Sequence, residues 1–179
     1  DYQRWFDGCT GIATDNEFFN RLINRSIADV SMLWSRNADG DEFPAAGTPW
    51  FDALFGRDSA VLSMQMLAFR PEIAAACLRV LAGRQGERVD PSRDEEPGKI
   101  LHELRYDELS RAGELPYHAY YGSIDSTPLF LMAIAAYYAW TADLALVREL
   151  LPAIKGALHW LDEYGDPVSD GFISYMKHS

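Results

Sequence analysis

The chain has 179 residues, 48% of them hydrophobic and 13% aromatic, enough for one domain with its own core. Its formal charge of −11, with 16 basic residues scattered along it, excludes the clustered Lys and Arg footprint that nucleic acid or anionic lipid requires. Apolar stretches are broken by Pro, Gly or charge well short of the ~20 residues of a membrane span, so no membrane partner is expected. No basic and apolar leader opens the chain, and a soluble, cytoplasmic protein is expected. The opening "DYQRWFDG" lacks an initiator Met, which reads as a chain that is processed, trimmed or cut from something larger.

Helical periodicity dominates. From Glu17 to Trp34 the apolar residues Phe18, Phe19, Leu22, Ile23, Ile27, Val30, Leu33 and Trp34 recur at steps of three and four, with Asp15 or Asn16 available as cap. A second helix is predicted over about 59–69, and a third begins at Pro71 and closes at Gly83 or Gly86. The fourth, "STPLFLMAIAAYYAWT", takes Ser126 or Thr127 as cap, and the fifth, "DLALVRELLPAIKGALHWLDEYG", splits near Pro152. The second and fourth are apolar nearly all round, as helices enclosed by others are. Strand signals are few and short, so the fold class expected is all-α.

Two connections, 37–54 and 86–125, are long for a helical bundle and dense in aromatics, Pro, Gly and charge. Long loops at fixed helix ends commonly build sites. Three clusters stand there: "PWFDALFGRDS", "EEPGKILHELRYDE" and "PYHAYYGSIDSTPLF". Each combines carboxylates, basic groups and aromatic rings, as a sugar cleft does: a pyranose stacks its CH face on a ring and offers hydroxyls to paired donors and acceptors. Arg57 and Asp58 can grip neighbouring hydroxyls. They can equally be a capping Asp and its ion-paired Arg, and spacing does not decide between the two.

In this order the clusters resemble the six-hairpin glycosidases, specifically the bacterial and archaeal proteins related to the amylo-alpha-1,6-glucosidase part of glycogen debranching enzyme, and more distantly glucoamylase. The resemblance extends over about 18–175. It implies a partial (α/α)6 barrel, about half of the complete toroid, with 1–179 as the N-terminal half of a catalytic domain from a longer chain. It also implies an α-glucan or oligosaccharide substrate, inverting hydrolysis by an acid and base carboxylate pair, and no metal or other cofactor. "PWFDALFGRDS" looks like the segment holding the terminal glucose, which makes Trp50, Phe51, Arg57 and Asp58 substrate-binding candidates. "EPGKILHELR" looks like the glutamate-bearing loop over the same subsite, adding Glu96, Lys99 and Glu103, with His102 and Arg105 as partners. His118 and Tyr121 would line the cleft. The general acid is expected beyond Ser179, with Asp125 its rival inside the chain, where apolar neighbours could raise its pKa or where it could simply order the loop and cap the helix.

A non-catalytic carbohydrate-binding or scaffold module is the alternative. "DPVSDGFISYMK" has Val168 and Lys177 where an EF-hand needs acidic ligands, so no calcium is expected. His102, His118, His159 and His178 show no ligand spacing, and no zinc site is expected. Cys9 and Cys77 have no metal spacing; Cys77 reads as a core residue, and no disulfide is expected. A half-barrel would leave apolar helix faces bare, so self-association through them is expected.

Overall fold

The structure, a computed structural model, describes residues 2–37, 40–105 and 119–174. A short helix α1 (Tyr2–Asp7) precedes α2 (Glu17–Leu33), whose first turn is closed by Asn16, the side chain accepting the Phe19 N–H at 3.0 Å. Trp5 of α1 packs on Trp34 and under the Arg70 guanidinium. Although α2 is amphipathic in sequence, only Ile27 is buried, and Phe18, Phe19 and Leu22 stay exposed.

The chain then leaves the helical pattern. β1 (Trp34–Arg36), β2 (Glu42–Gly47) and β3 (Phe51–Phe55) form a meander, joined on its far edge by β4 (Glu103–Leu104) in the order β1-β2-β3-β4, every pair antiparallel. The all-α, half-barrel expectation is therefore corrected: the fold is mixed α/β. The physical reason lies in what a strand needs. β2 reads "EFPAAG", and Pro, Ala and Gly are poor strand formers. It is a strand because neighbours supply its hydrogen bonds: Trp34 stands opposite Pro44, and the turn 48–50, with a cis Thr48-Pro49 bond, returns the chain so that Leu54 stands opposite Ala45. β4 has two residues and comes from the distant connection, pairing Leu54 with Leu104 and Phe55 with Glu103. Periodicity along the chain carries no trace of such pairings.

The sheet feeds straight into the helices α3 (Gly56–Met66) and α4 (Pro71–Gly83), followed after the second connection by α5 (Ser126–Thr141), α6 (Leu144–Glu149) and α7 (Leu151–Glu163). α3 starts three residues earlier than its periodicity suggests, with Phe55 both ending β3 and standing at the helix N-cap. Gly56 makes that junction feasible: a Cβ there would fall 2.1 Å from the Leu101 carbonyl oxygen. α3 packs against α4 and α5, α4 against α5, and α5 against α7. The core between them contains Leu54, Ala60, Leu78, Leu81, Ile100, Leu101 and Phe130, the larger side chains contributing about 1.5–3 kcal/mol each on burial. Among the described residues no helix is long and apolar enough to cross a membrane.

The predicted caps of α5 are used differently. Asp125 occupies its N-cap without a side-chain capping bond, while Ser126 accepts from the Ser123 hydroxyl at 2.8 Å and Thr127 Oγ1 accepts the Ile100 N–H at 2.9 Å. Both hydroxyls tie the connection to the helix. The last long helical stretch breaks at Leu150, which leaves Pro152 in the first turn of α7.

Candidate functional site

Because α3 and α5 pack side by side with their first turns at the same end, residues distant in sequence meet there. The Arg57 guanidinium donates to Asp125 Oδ2 at 3.0 Å and stands 4.0 Å from Asp58 Oδ2. Asp58 lies in the first turn of α3, where the helix dipole favours a carboxylate. Asp125 Oδ1 is buried and has no hydrogen-bond partner among the described residues. The result is one guanidinium between two carboxylates at the mouth of a helix pair, hydrogen-bonded to Asp125 and ion-paired to both.

β4 lies beside the start of α3, and the β2–β3 turn stands at the other end of β3. Trp50, 78% exposed, and Phe51, 52% exposed, present bare rings at the turn. Arg105 ties that turn to β4, donating to the Trp50 carbonyl at 3.2 Å and to Glu103 Oε2 at 3.0 Å. The Glu103 backbone pairs with Phe55 on one side and Tyr120 on the other, and its side chain is buried. His102 sits edge-on between the Phe55 and Tyr120 rings at 5.6 and 6.0 Å, its carbonyl accepting the Gly56 N–H; its Nδ1 is buried without a hydrogen-bond partner among the described residues. Exposed aromatic faces beside an Arg–Glu pair provide stacking and paired hydrogen bonds together.

The other sequence candidates lie elsewhere. Lys99 is 1% exposed; its ammonium donates to the Asp94 carbonyl at 3.0 Å, stands 3.1 Å from Glu96 Oε2 and lies 5.5 Å from the Trp160 ring. Glu96 also accepts the Trp160 indole N–H at 2.7 Å. These residues join the second connection to α7. Gln85 adds bonds to the Gly98 and Ala153 carbonyls, and Gly98, at φ +88°, comes so near that a Cβ would fall 2.0 Å from the Gly156 carbonyl oxygen. Tyr121 is buried under Arg93, donating its hydroxyl to the Arg84 carbonyl at 3.0 Å; burial, reinforced by Glu95, pushes that phenol up to about 12. His118 lies outside the described residues. Asp94, Trp160 and Gln85 were not singled out from the sequence; Trp160, a polar-tipped ring on a buried helix face, is the one whose position signals a need for a partner.

A hollow of about 400 Å³ opens beside Arg57 and Asp58, between α2, β2 and α3. Val30, Leu33, Pro44, Val61 and Leu62 line it, so it suits carbon rather than hydroxyls. Arg57, Asp58 and Gln65 supply its polar rim. Among the described residues no group of His, Cys, Asp and Glu is arranged to hold a metal ion, and Cys9 and Cys77 are both free. No family model and no curated protein matches the chain.

Proposed function

We propose that this chain carries the sugar-recognition part of an amylo-alpha-1,6-glucosidase-like glycoside hydrolase acting on α-glucans in the cytoplasm. The observation that carries the reading is the Arg57 fork held between Asp58 and Asp125, with one Asp125 oxygen unclaimed, at the shared end of α3 and α5. Arg57 donates to one sugar hydroxyl while Asp58 or Asp125 accepts from its neighbour, and Trp50 or Phe51 stacks on a ring face. Glu103, fixed by Arg105 and by its strand pairing, borders the same subsite. Hydrolysis with inversion needs a proton-donating and a water-activating carboxyl about 6.5–9.5 Å apart.

A non-catalytic carbohydrate-binding module is favoured by one observation: Asp125, the internal candidate for the acid, accepts a hydrogen bond from Arg57, the geometry of a ligand-positioning group. Calorimetry with glucose, maltose and isomaltose tests both readings. Binding lost in Arg57→Ala and in Asp58→Ala, without turnover by the parent chain, supports a recognition site. Turnover abolished by Asp125→Asn moves the acid into this chain, and no binding of any of the three sugars refutes the proposal.

A further inference from the structure

The hollow between α2, β2 and α3 is lined by this chain's own elements, and no aromatic ring stands in its walls. On α2 the residues Ile27, Val30 and Leu33 follow one another at three-residue steps along one stripe; Ile27 is buried, whereas Val30 and Leu33 line the hollow and are only half-buried. α3 supplies Val61 and Leu62, and β2 supplies Pro44 and Ala45. These walls are held from behind: Val30 and Leu62 pack on the buried Met66, Ile73 and Cys77. The rim is polar and only partly satisfied. The Arg57 guanidinium is hydrogen-bonded to Asp125, which does not line the hollow. Asp58 meets Arg57 only at 4.0 Å and, like Gln65, makes no side-chain hydrogen bond among the described residues.

We propose that this hollow binds a short aliphatic chain carrying an uncharged, hydroxylated head. The walls select the chain: they are aliphatic and offer no ring to stack on, so the gain comes from methylene groups leaving water. A volume of about 400 Å³ falls within the ~300–1,000 Å³ of small-molecule pockets and limits the ligand's size. The rim selects the head. A carboxylate only accepts, so Asp58 calls for a donor, and the Gln65 amide can give or take a hydrogen bond; a pair of hydroxyls meets both. An anionic head would face Asp58 and the field of a chain with a charge of −11. An ammonium head would have to share Asp58 with the Arg57 guanidinium already beside it. The inference does not depend on the carbohydrate reading.

Nuclear magnetic resonance titration with vicinal alkanediols, from propanediol to hexanediol, tests it. Affinity is expected to rise about three- to fourfold with each added methylene, with the largest shifts at the methyl groups of Val30, Val61 and Leu62. Hexanoate, of equal chain length but with an anionic head, is expected to bind at least about tenfold more weakly than hexanediol, and Asp58→Asn to narrow that gap. Val61→Trp, which fills the hollow, is expected to weaken hexanediol binding at least about tenfold. Met132→Ala, at an exposed apolar residue of α5 away from the hollow, is expected to leave it unchanged, and circular dichroism checks that every variant is folded. Absence of binding, affinity that does not grow with chain length, hexanoate bound as tightly as hexanediol, or hexanediol binding that survives Val61→Trp in folded protein each overturns the proposal.

Discussion

The connection from residue 86 to 105 buries Asp94, Glu95, Lys99 and Glu103, whereas the α3–α5 pair buries Ala60, Phe130, Ala133 and Ile134 and has no Asp, Glu, Lys, Arg or His beyond its first turns. Both regions are interior, yet they are held by different forces. The helix pair is held by area and fit: small residues at the crossing let the backbones approach, and the gain grows with each apolar atom removed from water. The connection adds Ile100, Leu101 and Leu104 to the same core, but the course of its polar part is fixed by pairing. Arg93 and Arg88 face Glu95, Lys99 bridges Glu96 and the Asp94 carbonyl, and the Tyr120 hydroxyl donates to Asp94 Oδ2 at 3.0 Å. A buried ion pair contributes modest net stability but is costly to break, so it specifies one arrangement against its alternatives. That suits a segment that carries His102 and Glu103 to the junction of β3 and α3.

The largest effects should come from breaking each region by its own means. Phe130→Ala removes a fully buried ring from the helix pair and is expected to cost about 3–5 kcal/mol in chemical denaturation. Lys99→Met keeps most of the side-chain volume but leaves Glu96 without its cation, and about 3–5 kcal/mol is expected there too. Hydrogen exchange separates the two cases. Phe130→Ala should lower protection throughout the helices, and Lys99→Met should do so first within 86–105. Equal loss everywhere in both variants would mean that the connection has no independent opening.

Trp160→Phe is a gentler cut. It keeps the ring against Lys99 and removes only the indole donor to Glu96, so a loss of about 1–3 kcal/mol is expected. If sugar binding is also weakened by Trp160→Phe while the spectroscopic fold is retained, the α7 contact positions the site from a distance.

Acid should distinguish the regions with the least perturbation. Asp90, within the connection, has its carboxyl held below the usual range by the Ser92 hydroxyl, against some opposition from burial, with help from the Ser92 N–H and from Arg93 and Arg88. A carboxyl depressed in the folded state contributes stability above its unfolded value, about 3.9, and that contribution is lost as pH falls through the lower folded value. Asp90 and Glu95 exchange backbone hydrogen bonds, so protection of those two amides should fall in this acid window. The Phe130 amide, on a helix stretch without titratable groups, should keep its protection through the same step.

The longer helices and most of their boundaries were legible from the sequence because a repeat and its punctuation are local, whereas the six-residue α1 was not read. Asn16 caps α2, Pro71 opens α4, and the chain breaks before Pro152, each for reasons contained within a few residues. Part of the site was legible too: Arg57 and Asp58 stood out as a polar pair ahead of an apolar run. Its completion was not. Arg57 reaches Asp125 only because α3 and α5 start at the same end, and Glu103 faces Phe55 only because a two-residue strand from the second connection closes the sheet.

The sequence by itself determined that most of this chain is helical, where most of its longer helices start and stop, and that it is acidic, since those properties are sums over neighbouring residues. The tertiary structure alone decided that 34–55 is a meander, that Lys99 and Glu96 are joined inside to α7, and which side of the uncharged helices is left bare. Strand pairing, burial of an ion and exposure of a face all depend on what lies opposite a residue, and what lies opposite is decided by the fold of the whole chain.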